Sequence, residues 1–129
     1  MTEKYIGRIQ RFVNYEDHET IKLSTKEEPL SEIIEEDIRL YGKYLSVSYF
    51  VSDKYIQEDQ VVTEWLNTIN GIGNAEYNMR YSEITGYLFT DEELIVGGHD
   101  LLEELESFID KWIYLEIKYS KKPLTSKLE

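Results

Sequence analysis

The stretch from Gly86 to Tyr119 constrains the fold most strongly, because it contains the pattern of a complete strand, helix and strand unit. After Gly97-Gly98-His99-Asp100, apolar residues recur at helical spacing and acidic residues occupy the opposite side; the apolar positions are Leu101, Leu102, Leu105, Phe108 and Ile109. Trp112–Tyr119 then alternates apolar and polar residues, which predicts a strand with one solvated face. A helix and a strand of this kind each need a shared core to cover their apolar faces.

Alternation and turn residues predict six further strand segments. They are Tyr5–Val13, His18–Leu23, Tyr44–Val51, Ala75–Tyr81, Tyr87–Thr90 and Leu94–Val96. The first two form an N-terminal hairpin across a polar turn. Asp91, Glu92 and Glu93 are predicted at the tip of the last hairpin.

Two more helices are predicted. Leu30 to Tyr41 has apolar residues at helical spacing, with Ser31 as a cap near its start. Asp37 falls on the apolar face of that helix, so we expect the helix to end before it; the alternative is a buried carboxylate with a partner. A second apolar stripe over Val61–Ile69 ends at Asn70-Gly71, which is typical of a helix stop.

A weak internal repeat organises these elements. Sliding Glu32–Lys54 onto Asp100–Lys122 superposes a helix and the strand after it, either through duplication or through a shared helix and strand pattern alone. We predict one α+β domain over residues 1–120, with a mostly antiparallel twisted sheet of about five to seven strands and two or three amphipathic helices on one face. The halves would be ββαβ-like. Residues 121–129 are predicted to be a disordered polar tail, and the final Leu-Glu is consistent with a vector-derived addition.

Composition narrows the classes of function. With 26 acidic and 14 basic residues the chain has a formal net charge of −12, which disfavours direct binding to nucleic acid or to an anionic membrane and favours a basic protein partner. The chain contains no cysteine, which excludes disulfides, thiol nucleophiles and the usual zinc sets. We see no signal peptide and no apolar run of about 20 residues, and the absence of cysteine favours the cytosol, so we expect a cytoplasmic protein. The glycines around Ile72–Asn74 lack the GxGxxG pattern of a phosphate-binding loop, and we expect no cofactor.

Catalytic and metal-binding candidates are few. His99 beside Asp100 on flexible backbone resembles a general base pair, but the glycines suit a tight turn and Asp100 suits a capping box with Glu103. Asp91, Glu92 and Glu93 are weak candidates for a calcium or magnesium site, because they lack the alternating ligands of a calcium loop. A small hydrolase or metal-dependent enzyme that uses His99 with nearby carboxylates is therefore the alternative function.

Charge distribution favours a different function. Glu27–Asp37 and Asp91–Asp110 together hold fourteen acidic residues and no Lys or Arg, so two helices could merge into one negative surface. The predicted binding residues are Glu35, Glu36, Glu103, Glu104, Glu106 and Asp110, with Tyr87 and Tyr114 on a sheet face. We expect a non-enzymatic protein-binding module of the inhibitor or immunity type; solvated helix faces that only keep the protein dissolved are the competing interpretation.

Overall fold

The computed structural model describes residues 1–14, 18–81 and 88–122, and it describes side chains in these ranges outside 13–19 and 75–93. The elements in chain order are β1 (Thr2–Asn14), β2 (His18–Leu23), α1 (Leu30–Ile38), β3 (Tyr44–Ser52), β4 (Asn67–Tyr81), β5 (Leu88–Val96), β6 (His99–Asp100), α2 (Leu101–Glu106) and β7 (Trp112–Ser120).

The strands form one seven-stranded sheet in the order β2-β1-β7-β3-β4-β5-β6. Every pair of neighbouring strands is antiparallel, so the predicted antiparallel sheet is confirmed. In chain order the elements run β-β-α-β and then β-β-α-β again, with the two-residue β6 placed before α2. The last strand, β7, lies between β1 and β3. At the centre of the sheet, β3 of the first half pairs with β7 of the second half, so the two halves do not pack as separate units.

A two-stranded ribbon extends from each side of the central strands. β1 pairs with β7 through Thr2–Arg8 and with β2 only from Ile9 onward. In the same way β4 pairs with β3 up to Ile72 and with β5 from Gly73 onward. The outer strands β2 and β5 contact each other although four strands separate them in the sheet order. The sheet is therefore curled.

One face of the curled sheet forms the core. In β3 the buried residues alternate with less buried ones, and they include Leu45 and Val47. In β7 every second residue belongs to the core, as Ile113 and Leu115 do. Both helices add to the same cluster; α1 contributes Leu30, Ile34 and Ile38, and α2 contributes Leu101, Leu102 and Leu105. Each such side chain stabilises the fold by about 1.5–3 kcal/mol through burial. The core thus joins strands of both halves to both helices.

The predicted helix over Val61–Ile69 is wrong. No helix forms there: the chain is irregular through Leu66, and Ile69 lies within β4. The apolar side chains of this segment lie in different environments, since Ile69 is buried in the core while Val61 is 83% exposed. Helical spacing alone cannot distinguish these two environments.

The predicted early end of the first helix is also wrong. The helix begins at Leu30 after Pro29 in the cap position, Ser31 is buried inside the first turn, and the helix continues through Asp37 to Ile38. Asp37 is exposed, and it accepts a hydrogen bond of 2.9 Å from the hydroxyl of Tyr5. The carboxylate thus has a partner and stays in contact with solvent, which removes the conflict with a helical position.

Candidate functional site

His99 and Asp100 form the two-residue strand β6, which pairs with the end of β5. Oδ1 of Asp100 accepts a hydrogen bond of 3.1 Å from the backbone amide of Leu102, so Asp100 caps α2 as predicted, although the predicted donor was Glu103. The His99 side chain is exposed. Within the described residues, no group of three or more His, Cys, Asp or Glu side chains could hold a metal ion.

The acidic run Asp91-Glu92-Glu93 does not form a hairpin tip. These residues lie inside β5 and pair with Asn78, Tyr77 and Glu76 of β4. The prediction was wrong because the two strands are longer than local turn chemistry suggested. Their side chains are outside the described residues, so the metal prediction stays a prediction.

Three of the acids predicted for a binding surface have partners within the fold. Glu104 accepts hydrogen bonds from the Tyr49 hydroxyl and, at 2.6 Å, from Nδ2 of Asn67. Glu35 accepts a hydrogen bond of 2.7 Å from the backbone amide of Leu40 at the end of α1. The third acid, Asp110, forms an ion pair with Arg8. Glu35 and Glu104 are therefore partly engaged within the fold, whereas the ion pair of Asp110 lies at the surface, where its side chain is 73% exposed.

One carboxylate from each helix accepts a hydrogen bond from a tyrosine, and the two tyrosines lie in the same row across the sheet. Tyr5 and Tyr49 both lie opposite Leu115, and Tyr49 also lies opposite Asn67. Burial, followed by the hydrogen bond to the Asp37 carboxylate, raises the pKa of Tyr5 well above its usual value. Burial and the hydrogen bond to the Glu104 carboxylate raise the pKa of Tyr49 to about 12. This polar row attaches both helices to the sheet, and it could not be found in the sequence because every partner is distant along the chain.

Other predicted surface residues differ in their position. Glu36, Glu103 and Glu106 have exposed side chains. Tyr114 is only 4% exposed, and its ring centroid lies 5.9 Å from that of Trp65. It lies on the outer face of the sheet, opposite to the core, but it forms the wall of a cavity rather than an exposed contact. Tyr87 is outside the described residues.

Three adjoining surface cavities follow one side of the molecule, and together they are called the edge groove here. The helix cavity, of about 260 Å³, is bordered by Glu27, Glu28, Glu36 and Asp37. The edge cavity, of about 340 Å³, lies beside β1 at Lys4, Tyr5 and Ile6. The outer cavity, of about 260 Å³, has Trp65, Tyr114, Glu58, Asp59 and Glu116 in its lining.

Shared residues make the groove continuous. Lys26 lines both the helix cavity and the edge cavity, while Lys4 and Glu58 line both the edge cavity and the outer cavity. Seven carboxylates and two lysines line the groove, which gives it a net charge of −5. Sequence reasoning missed it, because Glu58, Asp59 and Trp65 belong to a segment that had been assigned in part to a helix. A surface of this charge and shape suits an elongated basic ligand.

Comparisons of this chain with protein-family models, with curated proteins and with solved structures found no match. Of the helices in the described ranges, neither α1 nor α2 has the length and apolar character needed to span a membrane.

Proposed function

We propose that this protein is a non-enzymatic protein-binding module, of the inhibitor or immunity type, that binds a basic partner through carboxylates of its helices. The observation that carries the proposal is the charge of the two helices. α1 contains four acidic residues and α2 contains three, and neither helix contains Lys or Arg. Among these residues, the exposed ones are Glu36, Asp37, Glu103 and Glu106.

Electrostatics explains how such a surface would act. The chain has a net charge of −12, and exposed carboxylates with no basic residue on the same helix leave part of that charge uncompensated at the surface. A negative surface attracts a basic partner during diffusional encounter and repels nucleic acid. Screening by salt weakens this attraction over a distance of about 8 Å at physiological ionic strength. Binding should therefore weaken as salt is added.

The experiment compares three charge reversals that change the net charge equally. Glu36→Lys and Glu103→Lys alter the helices, whereas Glu64→Lys alters an exposed position in the irregular segment between β3 and β4. The probe is the protein that the wild-type chain retains from a lysate of its native host, purified and titrated by calorimetry at several salt concentrations. A charge pair at about 4 Å in water contributes about 1 kcal/mol. Each helix reversal should therefore weaken binding by about 2 kcal/mol, or roughly 30-fold.

Glu64→Lys is the matched control outside the helices, and it should weaken binding less than either helix reversal. Equal losses for all three variants would mean that net charge, not the helix surface, governs binding. An affinity that does not depend on salt would contradict the electrostatic proposal as a whole.

No observation on the described residues favours the alternative hydrolase or metal-dependent enzyme. Asp100, the carboxylate next to His99, caps α2, and the Asp91 side chain is outside the described residues. The cytoplasmic location, the absence of a cofactor and the absence of direct nucleic-acid binding stay predictions from composition.

A further inference from the structure

The first half of β1 has an unpaired side. From Thr2 to Arg8 its only strand partner is β7, because β2 begins to pair at Ile9. The odd-numbered residues use their backbone groups toward β7: the carbonyl of Met1 accepts from Tyr119, and the amide of Ile9 donates to Lys111. Because backbone groups alternate along a strand, the even-numbered residues direct theirs to the unpaired side.

Bonds of the even-numbered residues confirm this direction. The amide of Arg8 donates to the side chain of Ser24, and the carbonyl of Ile6 accepts from the side chain of Thr25. Beyond these two contacts, no hydrogen bond from the described part of the chain reaches the amide and carbonyl of Lys4 or the amide of Ile6. The edge cavity lies beside these same residues. This edge of β1 therefore has a cavity beside backbone groups that can still form hydrogen bonds.

We propose that an extended basic segment of the partner protein binds in the edge groove as an additional β-strand beside Thr2–Ile6. This inference rests on the proposed function for the charge of the partner. Backbone hydrogen bonds to Lys4 and Ile6 would supply affinity that does not depend on side chains, as in other complexes in which a peptide extends a sheet. The neighbouring strand would lie about 4.8 Å from β1, within the edge cavity.

The helix cavity and the outer cavity, which adjoin the edge cavity on either side, would then select the side chains of the bound segment. Successive residues of a strand point to opposite faces. One set of partner side chains would enter the helix cavity beside Glu36 and Asp37, and the other set would enter the outer cavity beside Glu58 and Asp59. Carboxylates on both faces match a segment with basic residues on both of its faces.

The aromatic wall of the outer cavity also suits a cation. The ammonium of Lys4 already lies 6.0 Å from the centroid of the Tyr114 ring, at the limit of a cation–π contact. Trp65 forms the other aromatic part of this lining. A partner arginine or lysine side chain could bind against the same rings while its charge faces Glu58 and Asp59.

Charge argues against a second copy of this chain as the occupant. A second copy has the same net charge of −12, and its own β1 edge would bring a second groove of charge −5 toward the first. Repulsion between two such surfaces disfavours edge-to-edge pairing. A basic segment is attracted by the same charges.

The test uses a defined probe and a pair of variants matched in charge. The probe is a fluorescent peptide with blocked ends that repeats two arginines and two threonines, so that arginine occurs on both faces of the strand, and its binding is measured by anisotropy. Lys4→Ala and Lys4→Pro each remove one positive charge, but only proline removes the amide that faces the unpaired side. Proline is tolerated at edge positions whose amide makes no bond within the sheet.

We expect Lys4→Ala to bind the peptide at least as tightly as the wild type and Lys4→Pro to bind it at least tenfold more weakly. A second measurement needs no variant: in the wild-type protein, the amides of Lys4 and Ile6 should exchange hydrogen more slowly when the peptide is bound. This measurement still decides the question if Lys4→Pro lowers the melting temperature. A peptide with glutamate in place of every arginine should not bind.

Failure of this inference is distinguishable from failure of the proposed function. Equal binding by the two Lys4 variants, or unchanged exchange of both amides, would overturn strand addition even if salt-sensitive binding to the helices persists. A dimer in sedimentation experiments that Lys4→Pro dissociates would also overturn it, because a second copy would then occupy the edge. Loss of peptide binding in Lys4→Pro, with partner binding by Glu103→Lys unchanged, would support the edge while contradicting the role of α2 in the helix surface.

Discussion

Glu103 and Glu104 are neighbours on α2, and their replacement by alanine should have very different effects on stability. Glu104 accepts hydrogen bonds from the Tyr49 hydroxyl and from Asn67, whereas the side chain of Glu103 is exposed. Tyr49 is only 2% exposed, so Glu104→Ala would leave a buried hydroxyl without its acceptor. We expect Glu104→Ala to lower the free energy of unfolding far more than Glu103→Ala.

The magnitude follows from these two contacts. A hydrogen bond to a charged group contributes about 1.5–3 kcal/mol, and the exposed bond from Asn67 adds about 0.5–1 kcal/mol because water competes for it. The expected loss for Glu104→Ala is therefore about 2–4 kcal/mol. Glu103→Ala should stay within about 0.5 kcal/mol of the wild type, as is usual for an exposed position. The difference is large compared with a typical total stability of about 5–15 kcal/mol.

The assay is urea denaturation at pH 7, followed by tryptophan fluorescence and circular dichroism. The denaturant slope should not change between variants, so that a shift of the midpoint reports stability. A double-mutant cycle of Glu104→Ala with Tyr49→Phe should give a coupling energy of about 1–2 kcal/mol, because the two residues share a hydrogen bond. Equal stabilities for the two alanine variants, or additive effects in the cycle, would refute the structural role of Glu104.

Three further predictions concern pH, packing and the exposed histidine. The pKa of Tyr49 is raised from 10.0 to about 12, and that of Tyr5 is raised as well, so the folded state keeps protons that the unfolded state releases. The free energy of unfolding should stay level below about pH 10 and then fall by up to about 1.4 kcal/mol per pH unit for each tyrosine. Urea denaturation across this range measures the fall, and an equally steep fall in Tyr49→Phe would contradict the raised pKa of Tyr49. Gly71→Ala should lower stability by about 1–3 kcal/mol, because its Cβ would lie 2.2 Å from Cα of Gly97, and an unchanged melting temperature would disprove this close approach. His99→Ala should leave the melting temperature unchanged within error, and a marked loss would show that the exposed ring has a structural role.

Local patterns predicted several elements closely. Tyr44–Val51 and Trp112–Tyr119 each differ from the observed strand by one residue at the end. These segments succeed because alternation reports a sheet with two different faces, and both lie at the centre of this sheet. The first hairpin, which lies at one edge of the sheet, was predicted from the polar turn between its strands.

Longer-range features were not predictable from local pattern. Asn70-Gly71 has the chemistry of a helix stop, but Gly71 lies within β4 because its missing side chain permits the close approach of Gly97. Asp37 looked inconsistent with a helix because its partner, Tyr5, lies 32 residues earlier in the chain. In each case a contact between distant residues determined the outcome, and periodicity contains no information about such contacts.

Amino-acid order alone was enough for the acidic character of the chain, the absence of cysteine and a mostly antiparallel sheet, because these depend on composition and on patterns within about ten residues. The pairing of distant strands determined which of the predicted binding acids have a partner within the fold. Glu35, Glu104 and Asp110 acquired partners in the fold, whereas Glu36 and Glu103 were left exposed. The same pairing left one side of β1 without a strand and formed the edge groove beside it, because β2 is too short to cover the first half of β1.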